Sequence, residues 1–234
     1  MAPARSSASP PSPAAVPAEA STVATQLTIV ALADTHGCHR SLALPPGDVL
    51  IHAGDLTDGS GFDGLADICD FLRRQPHRHK IAIAGNHDFC LQDEPERALG
   101  FFTGIHYLLD QQIVIEGIKF YGSPWQPRFA DFAFNLDRGP PLAERWAQIP
   151  DDTEILVTHC PPHGIGDRTH SGRHAGCEDL LARVRQVRPA LHLFGHIHEG
   201  NGRWQIDDTL FANVTTGVGR LPATVLQYTP RLRS

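Results

Sequence analysis

Five short apolar runs punctuate the chain, at residues 27–33, 49–52, 80–84, 154–158 and 191–194. All are too short for helices and most are rich in Ile, Val or Leu. Continuous apolar character of that length predicts strands covered on both faces. Between them, polar positions return at helical spacing. Residues 64–74 carry Leu65, Ile68, Phe71 and Leu72 with Asp and Arg opposite, and Glu178–Val187 repeats the arrangement with Leu180, Leu181 and Val184. Both segments predict amphipathic helices. Residues 113–121 read as strand, Glu116-Gly117 turn and strand, and residues 204–228 as further strands that end the sheet. Strands alternating with helices, without an internal repeat, predict an α/β domain.

Composition narrows this picture. At 234 residues and 41% hydrophobic the chain suits one catalytic domain around one sizeable core. Residues 1–26, rich in Ala, Pro and Ser, are expected to be a disordered tail, with the domain at residues 27–234. The tail lacks the apolar core of a secretory signal, and no apolar stretch is long enough to span a bilayer, so a soluble cytoplasmic protein without a membrane partner is expected. A formal charge of -6 and no Lys/Arg-rich stretch disfavour long nucleic acid as a partner. Five cysteines fit neither a disulfide framework nor a CxxC zinc pattern, which points to a reducing compartment; Cys38 and Cys160 read as small apolar fillers.

The chemistry gathers at the strand ends. Each of the five buried runs leads directly into a ligand-type residue: Asp34 and His36, then Asp55, then Asn86-His87-Asp88, then His159, then His196 and His198. In open α/β sheets the site lies outside the carboxyl ends of the strands, so these distant segments should converge. Asp55, with two oxygens, can bridge two ions; Asp34, His36 and His198 would complete one site and Asn86, His159 and His196 the other. A water shared by two cations ionises near neutrality and attacks phosphorus, while the same cations hold the phosphoryl oxygens. His87, beside a ligand but assigned to neither ion, is placed to protonate the leaving alkoxide or to hydrogen-bond the transition state. Asp88 would orient His87 or cap a helix. Nitrogen and oxygen donors without thiolate suit manganese, iron or zinc.

Five blocks, Asp34-Thr35-His36, Gly54-Asp55, Gly85-Asn86-His87-Asp88, Thr158-His159 and Gly195-His196-Ile197-His198, resemble in order the signature blocks of calcineurin-like metallophosphoesterases. Residues 122–127, 134–139, 158–162 and 195–202 look like the metallophosphoesterase-domain-containing subgroup, related to class III cyclic nucleotide phosphodiesterases. The resemblance spans about residues 27–228. It implies a four-layer α/β/β/α sandwich of two mixed sheets flanked by helices, two metal ions, and hydrolysis of small phosphodiesters with broad or cyclic-nucleotide preference. Some animal members of the subgroup have Gly where this chain has His196 and are expected to be poorer enzymes.

Substrate contacts are less defined by the sequence. The loop at residues 164–176 is unusually rich in His and Arg. His163, Arg168, His170 and His174 are candidates to grip phosphate, and oligomeric state is not encoded in any visible pattern. The aromatic segment from Trp125 through Phe129, Phe132 and Phe134 has two readings, a stack for a nucleobase or a satellite hydrophobic cluster. Lone histidines such as His39, His52, His106 and His192 read as ordinary satisfied or exposed side chains. The competing functional classes are a nucleotide-binding or scaffolding module with weak turnover, and a phosphomonoesterase.

Overall fold

The computed structural model describes residues 26–230; the expected tail at residues 1–26 lies almost wholly outside them. In chain order the strands are β1 (Leu27–Leu32), β2 (Val49–Ala53), β3 (His79–Ile83), β4 (His106–Tyr107), β5 (Gln111–Ile115), β6 (Ile118–Ser123), β7 (Gln126–Pro127), β8 (Asn135–Leu136), β9 (Ile155–Thr158), β10 (Leu191–Phe194), β11 (Gly202–Ile206), β12 (Thr209–Asn213) and β13 (Thr224–Tyr228). The helices are α1 (Gly61–Arg74), α2 (Phe89–Asp93), α3 (Pro95–Leu99), α4 (Pro140–Trp146) and α5 (Glu178–Val187).

Two mixed sheets form, in the orders β13-β1-β2-β3-β4 and β11-β12-β10-β9-β6-β5, with β7 and β8 as a separate parallel ribbon. Strand periodicity explains the layering. On β1, Ile29 and Ala31 meet Ile155, Val157 and Leu193 of the other sheet, while Val30 and Leu32 face the opposite way onto Leu65, Ile68 and Leu72 of α1. The second sheet does the same, its outer residues Tyr121, Leu156 and Phe194 packing on Leu142 and Trp146 of α4 and on Leu180 and Val184 of α5. Three apolar seams between four layers give the α/β/β/α sandwich. Each fully buried Ile or Leu in those seams stabilises the fold by about 1.5–3 kcal/mol.

The parallel core places the site. β1, β2 and β3 run parallel, as do β6, β9, β10 and β12, so the carboxyl ends of both sets open on one rim. The turn at Glu116 (φ 50°) and Gly117 (φ 79°) reverses β5 into β6, as its Glu-Gly pair predicts. The helix expected at residues 64–74 begins three residues earlier, at Gly61.

Candidate metal centre

The loops leaving the strands are bent sharply where the candidate ligands sit. Asp34 (φ 55°), His36 (φ 43°), Asp55 (φ 54°) and His196 (φ 69°) all occupy the left-handed region, a cost that persists only where the surroundings enforce it. Backbone bonds tie the loops together: Asp34 N–H donates to Gly54 O at 3.0 Å and His36 N–H to Asp55 O at 3.2 Å. Two motif glycines permit the close approach. A Cβ on Gly85 would lie 2.3 Å from Asp55 N and Oδ1, and one on Gly54 would lie 2.5 Å from Ala84 O and from His159 Nδ1.

The side chains converge. Asp55 Oδ1 accepts the His87 backbone N–H at 2.8 Å, which turns Oδ2 toward the centre. Oδ2 then lies 3.5 Å from His36 Nε2 and 3.4 Å from His159 Nε2. On one side His36 Nε2 is 3.3 Å from His198 Nε2, which is 3.9 Å from Asp34 Oδ1. On the other, Asn86 Oδ1 is 2.9 Å from His159 Nε2 and 2.7 Å from His196 Nδ1. Three overlapping groups have one ligand atom from each residue within 4.8 Å of the others: Asp34, His36 and His198; Asp34, Asp55 and His159; and His36, Asp55 and His87. His159 Nδ1–H points at Ala53 O, 3.0 Å away, which turns Nε2 inward. Asp34 receives the His196 N–H on both oxygens, at 3.0 and 3.1 Å, and so joins the first loop to the last.

Burial sets the electrostatics. It raises the Asp34 carboxyl, with His159 pulling the other way, and it lowers His196 to about 3, aided by neighbouring His159, so that imidazole stays neutral and a nitrogen donor. Burial also opposes the charge on Asp55, but His159 overcomes it and holds that carboxyl below the usual range. His159 is correspondingly raised to about 9, with Asp55 outweighing burial. Neutral His36 and His196, ionised Asp55, and a His159 whose proton a cation would displace supply N and O donors on a largely buried floor that fit divalent cations of the manganese, iron and zinc kind.

Asp88 does not orient His87. Its carboxylate accepts Leu56 N–H (3.1 Å), Thr57 N–H (2.8 Å), Thr57 Oγ–H (3.0 Å) and Gly85 N–H (2.8 Å), clasping the Asp55 and Asn86 loops together. It also stands at the N-cap of α2 without its side chain capping the helix. Burial pushes it up to about 7, against the pull of those N–H donors. His87 instead packs its ring edge-on against His36, centroids 4.6 Å apart.

Other candidates make different contacts. The Trp125 N–H donates to Asp110 at 2.8 Å and the Arg145 guanidinium lies 4.4 Å over the ring, so the indole is a packing piece between the outer seams. His163 pairs with Asp167 and Glu178, at 3.8 and 3.5 Å. Arg168 is exposed on a small hairpin opposite His174. Asn213 fastens the loop backbone to the last ligand segment, donating to Gly166 O at 3.0 Å and Ile197 O at 2.9 Å.

Two supports escaped the sequence reading. Buried His52 lies 3.0 Å from Thr35 Oγ, and Thr35 also donates to Leu56 O at 3.2 Å; buried His192 lies 2.8 Å from Thr158 Oγ, which donates to Cys160 O at 2.8 Å. Each Thr precedes a ligand histidine. The signal was a lone His inside an otherwise apolar strand on each sheet, Val-Leu-Ile-His52-Ala and Leu-His192-Leu-Phe.

Parallel strands that deliver carboxylates, an Asn amide and histidines to one rim define a metal-dependent hydrolase of phosphoesters. The chain belongs to the calcineurin-like phosphoesterase family, whose profile matches residues 27–200. Among relatives, metallophosphoesterase domain-containing protein 1 of Homo sapiens is 36% identical over 211 residues, covering 80% of this chain and 65% of its own length. The protein K07C11.7 of Caenorhabditis elegans is 36% identical over 201 residues, covering 80% and 69%. The chain thus spans about two thirds of these relatives. A solved phosphopantetheinyl hydrolase from Mycobacterium tuberculosis shares the fold, with a TM-score of 0.57 at 17% identity, over 82% of this chain and 90% of its own. No helix among the described residues is long and apolar enough to cross a membrane.

Proposed function

We propose that the chain hydrolyses small phosphodiesters, cyclic nucleotides among them, using two divalent cations. Asp34, His36 and His198 would hold one, Asn86, His159 and His196 the other, and Asp55 would serve both. The observation that carries this reading is Asp55 Oδ2, within 3.5 Å of His36 Nε2 and 3.4 Å of His159 Nε2, one from each set. Bound there, such cations supply Lewis acidity toward phosphoryl oxygens and lower the pKa of water.

The chain's own residues do the rest. Anchoring Asp55 Oδ1 on the His87 N–H fixes which oxygen faces inward, and the Asp88 clasp keeps both loops in register. The half-buried His87 ring, seated against His36, presents a proton to the departing ester oxygen. His196 completes the second set, which favours turnover over a binding-only role.

The test is a panel of cyclic nucleotides, linear diesters and monoesters, with protein reconstituted in manganese, iron or zinc and run beside Asp55→Asn. Diester turnover should fall on the order of 10³-fold in the variant, with cation content reduced. Equal rates would remove Asp55 from its place, activity on monoesters alone would move the substrate class, and added polynucleotide should not compete.

A further inference from the structure

The loop between β7 and β8 presents aromatic rings to solvent beside the metal centre. Phe129 is 66% exposed and stacks on half-buried Phe132, with centroids 5.9 Å apart and 10° between planes. Phe132 in turn lies 4.8 Å from the ring of His87, which touches His36. A row of rings therefore leads from a ligand histidine outward to water.

The loop is pinned rather than loose. The Asn135 amide donates to Phe129 O at 3.2 Å and Ala130 O at 3.0 Å, and Gln126 Nε2 donates to Ala133 O at 3.0 Å. Ala133 N–H donates to the backbone carbonyl of Asn86 at 3.0 Å, coupling the loop to a ligand residue. Ala130 (φ 47°) and Phe134 (φ 54°) sit in the left-handed region, so the chain is bent at a cost to hold this shape. The packing role in this segment belongs to Phe134, 2% exposed and edge-on to Trp125 at 5.6 Å. Phe129 buries little, and rigid display of an apolar ring next to a polar centre marks a binding surface. Arg128 is the one Lys or Arg in residues 126–136 and is paired with Asp137 at 2.6 Å, so the loop suits a neutral ring and not a second phosphate.

We propose that Phe129 and Phe132 form a platform that stacks a flat aromatic group carried on the substrate's phosphate ester, making this loop a specificity determinant. The inference rests on the phosphoesterase reading of the adjacent centre. Stacking of a base on an aromatic side chain is strong enough to give a preference of tenfold or more.

The experiment is calorimetric binding to cation-loaded protein of three phosphates: adenosine 5′-monophosphate, phenyl phosphate and ribose 5-phosphate. Adenosine 5′-monophosphate should bind about tenfold more tightly than ribose 5-phosphate. Phe129→Ala with Phe132→Ala should reduce that ratio to below about twofold while ribose 5-phosphate affinity stays unchanged. Loss in the adenosine arm alone identifies a nucleobase as the stacked ring, and loss in both aromatic arms identifies any flat ring. A preference retained in the double variant, or absent from the native chain, overturns the platform. Phe129→Leu covers the case in which the double variant fails to fold: the preference should fall, and a leucine that preserved it would overturn the aromatic role. If all three phosphates bind as expected but no diester is hydrolysed, the platform stands and the hydrolytic reading fails.

Discussion

Two regions of the molecule combine histidine with buried aspartate, and they use the pair in opposite ways. On the metal floor, Asp55 Oδ2 faces His36 and His159 at 3.5 and 3.4 Å, and the neighbouring imidazole nitrogens and Asn86 oxygen point at the same space. In the loop at residues 163–178, Asp167 spends both oxygens: Oδ1 on His174 Nδ1–H at 2.6 Å, Oδ2 on Gly164 N–H at 2.9 Å and Gly176 N–H at 3.0 Å. The first carboxylate keeps acceptor capacity for a guest. The second is a knot that closes the loop on itself, and the number of histidines nearby says nothing about which is which. Lone-pair accounting does.

The contrast is sharpest in Asp167→Asn, which should leave cation content unchanged yet destabilise the protein by about 2–3 kcal/mol, because a buried carboxylate with three donors loses its charge-assisted bonds. Denaturant titration with parallel metal analysis measures both, and a variant that loses its cations would erase the distinction between the two regions.

A histidine outside both regions gives a smaller effect with a defined sign. Burial holds His192 down to about 3, so it folds neutral, whereas the unfolded chain takes up a proton near 6.5. The unfolded state binds more protons between those values, so stability is fully present above about 6.5 and is lost as pH falls. At pH 5 the loss is about 2 kcal/mol for this group. His192→Gln should narrow the stability gap between pH 7.5 and pH 5 by that order, read from urea midpoints, and an unchanged gap would remove the neutral-histidine account.

Smallest of all is the expected effect of His163→Ala or Arg168→Ala on diester turnover, at most about twofold in KM, since His163 is engaged by Asp167 and Glu178 in a partly exposed pair worth little and Arg168 is exposed to solvent. A large rise in KM would return both residues to the substrate-gripping role that their sequence neighbourhood suggests.

The parts legible in the sequence are those where local pattern and tertiary role coincide. Strands covered on both faces must be apolar nearly throughout, so β1, β2, β9 and β10 announce themselves, and the ligands follow because each sits directly after such a run. The short helices α2, α3 and α4, of five to seven residues, hold too few turns to show a periodic face, and the two-residue strands β7 and β8 carry no alternation. Trp125 and Arg168 are less legible for a different reason. What an indole or a guanidinium does depends on which distant side chain reaches it, here Asp110 and Arg145 for Trp125. Asp88 is the intermediate case: its motif marks it as important, but its clasp on Leu56, Thr57 and Gly85, rather than on His87, exists only in the folded chain.

The pairing of β1 with β13 joins residues about two hundred positions apart, Leu27 opposite Tyr228. During synthesis on the ribosome β1 can dock on β2 early, yet its other side stays an unsatisfied ladder until β13 emerges. An apolar edge of this kind is a template for intermolecular pairing. Nascent chains stalled or cleaved before residue 224 should therefore cluster into aggregates, and β13 acts as the seal that ends that vulnerability.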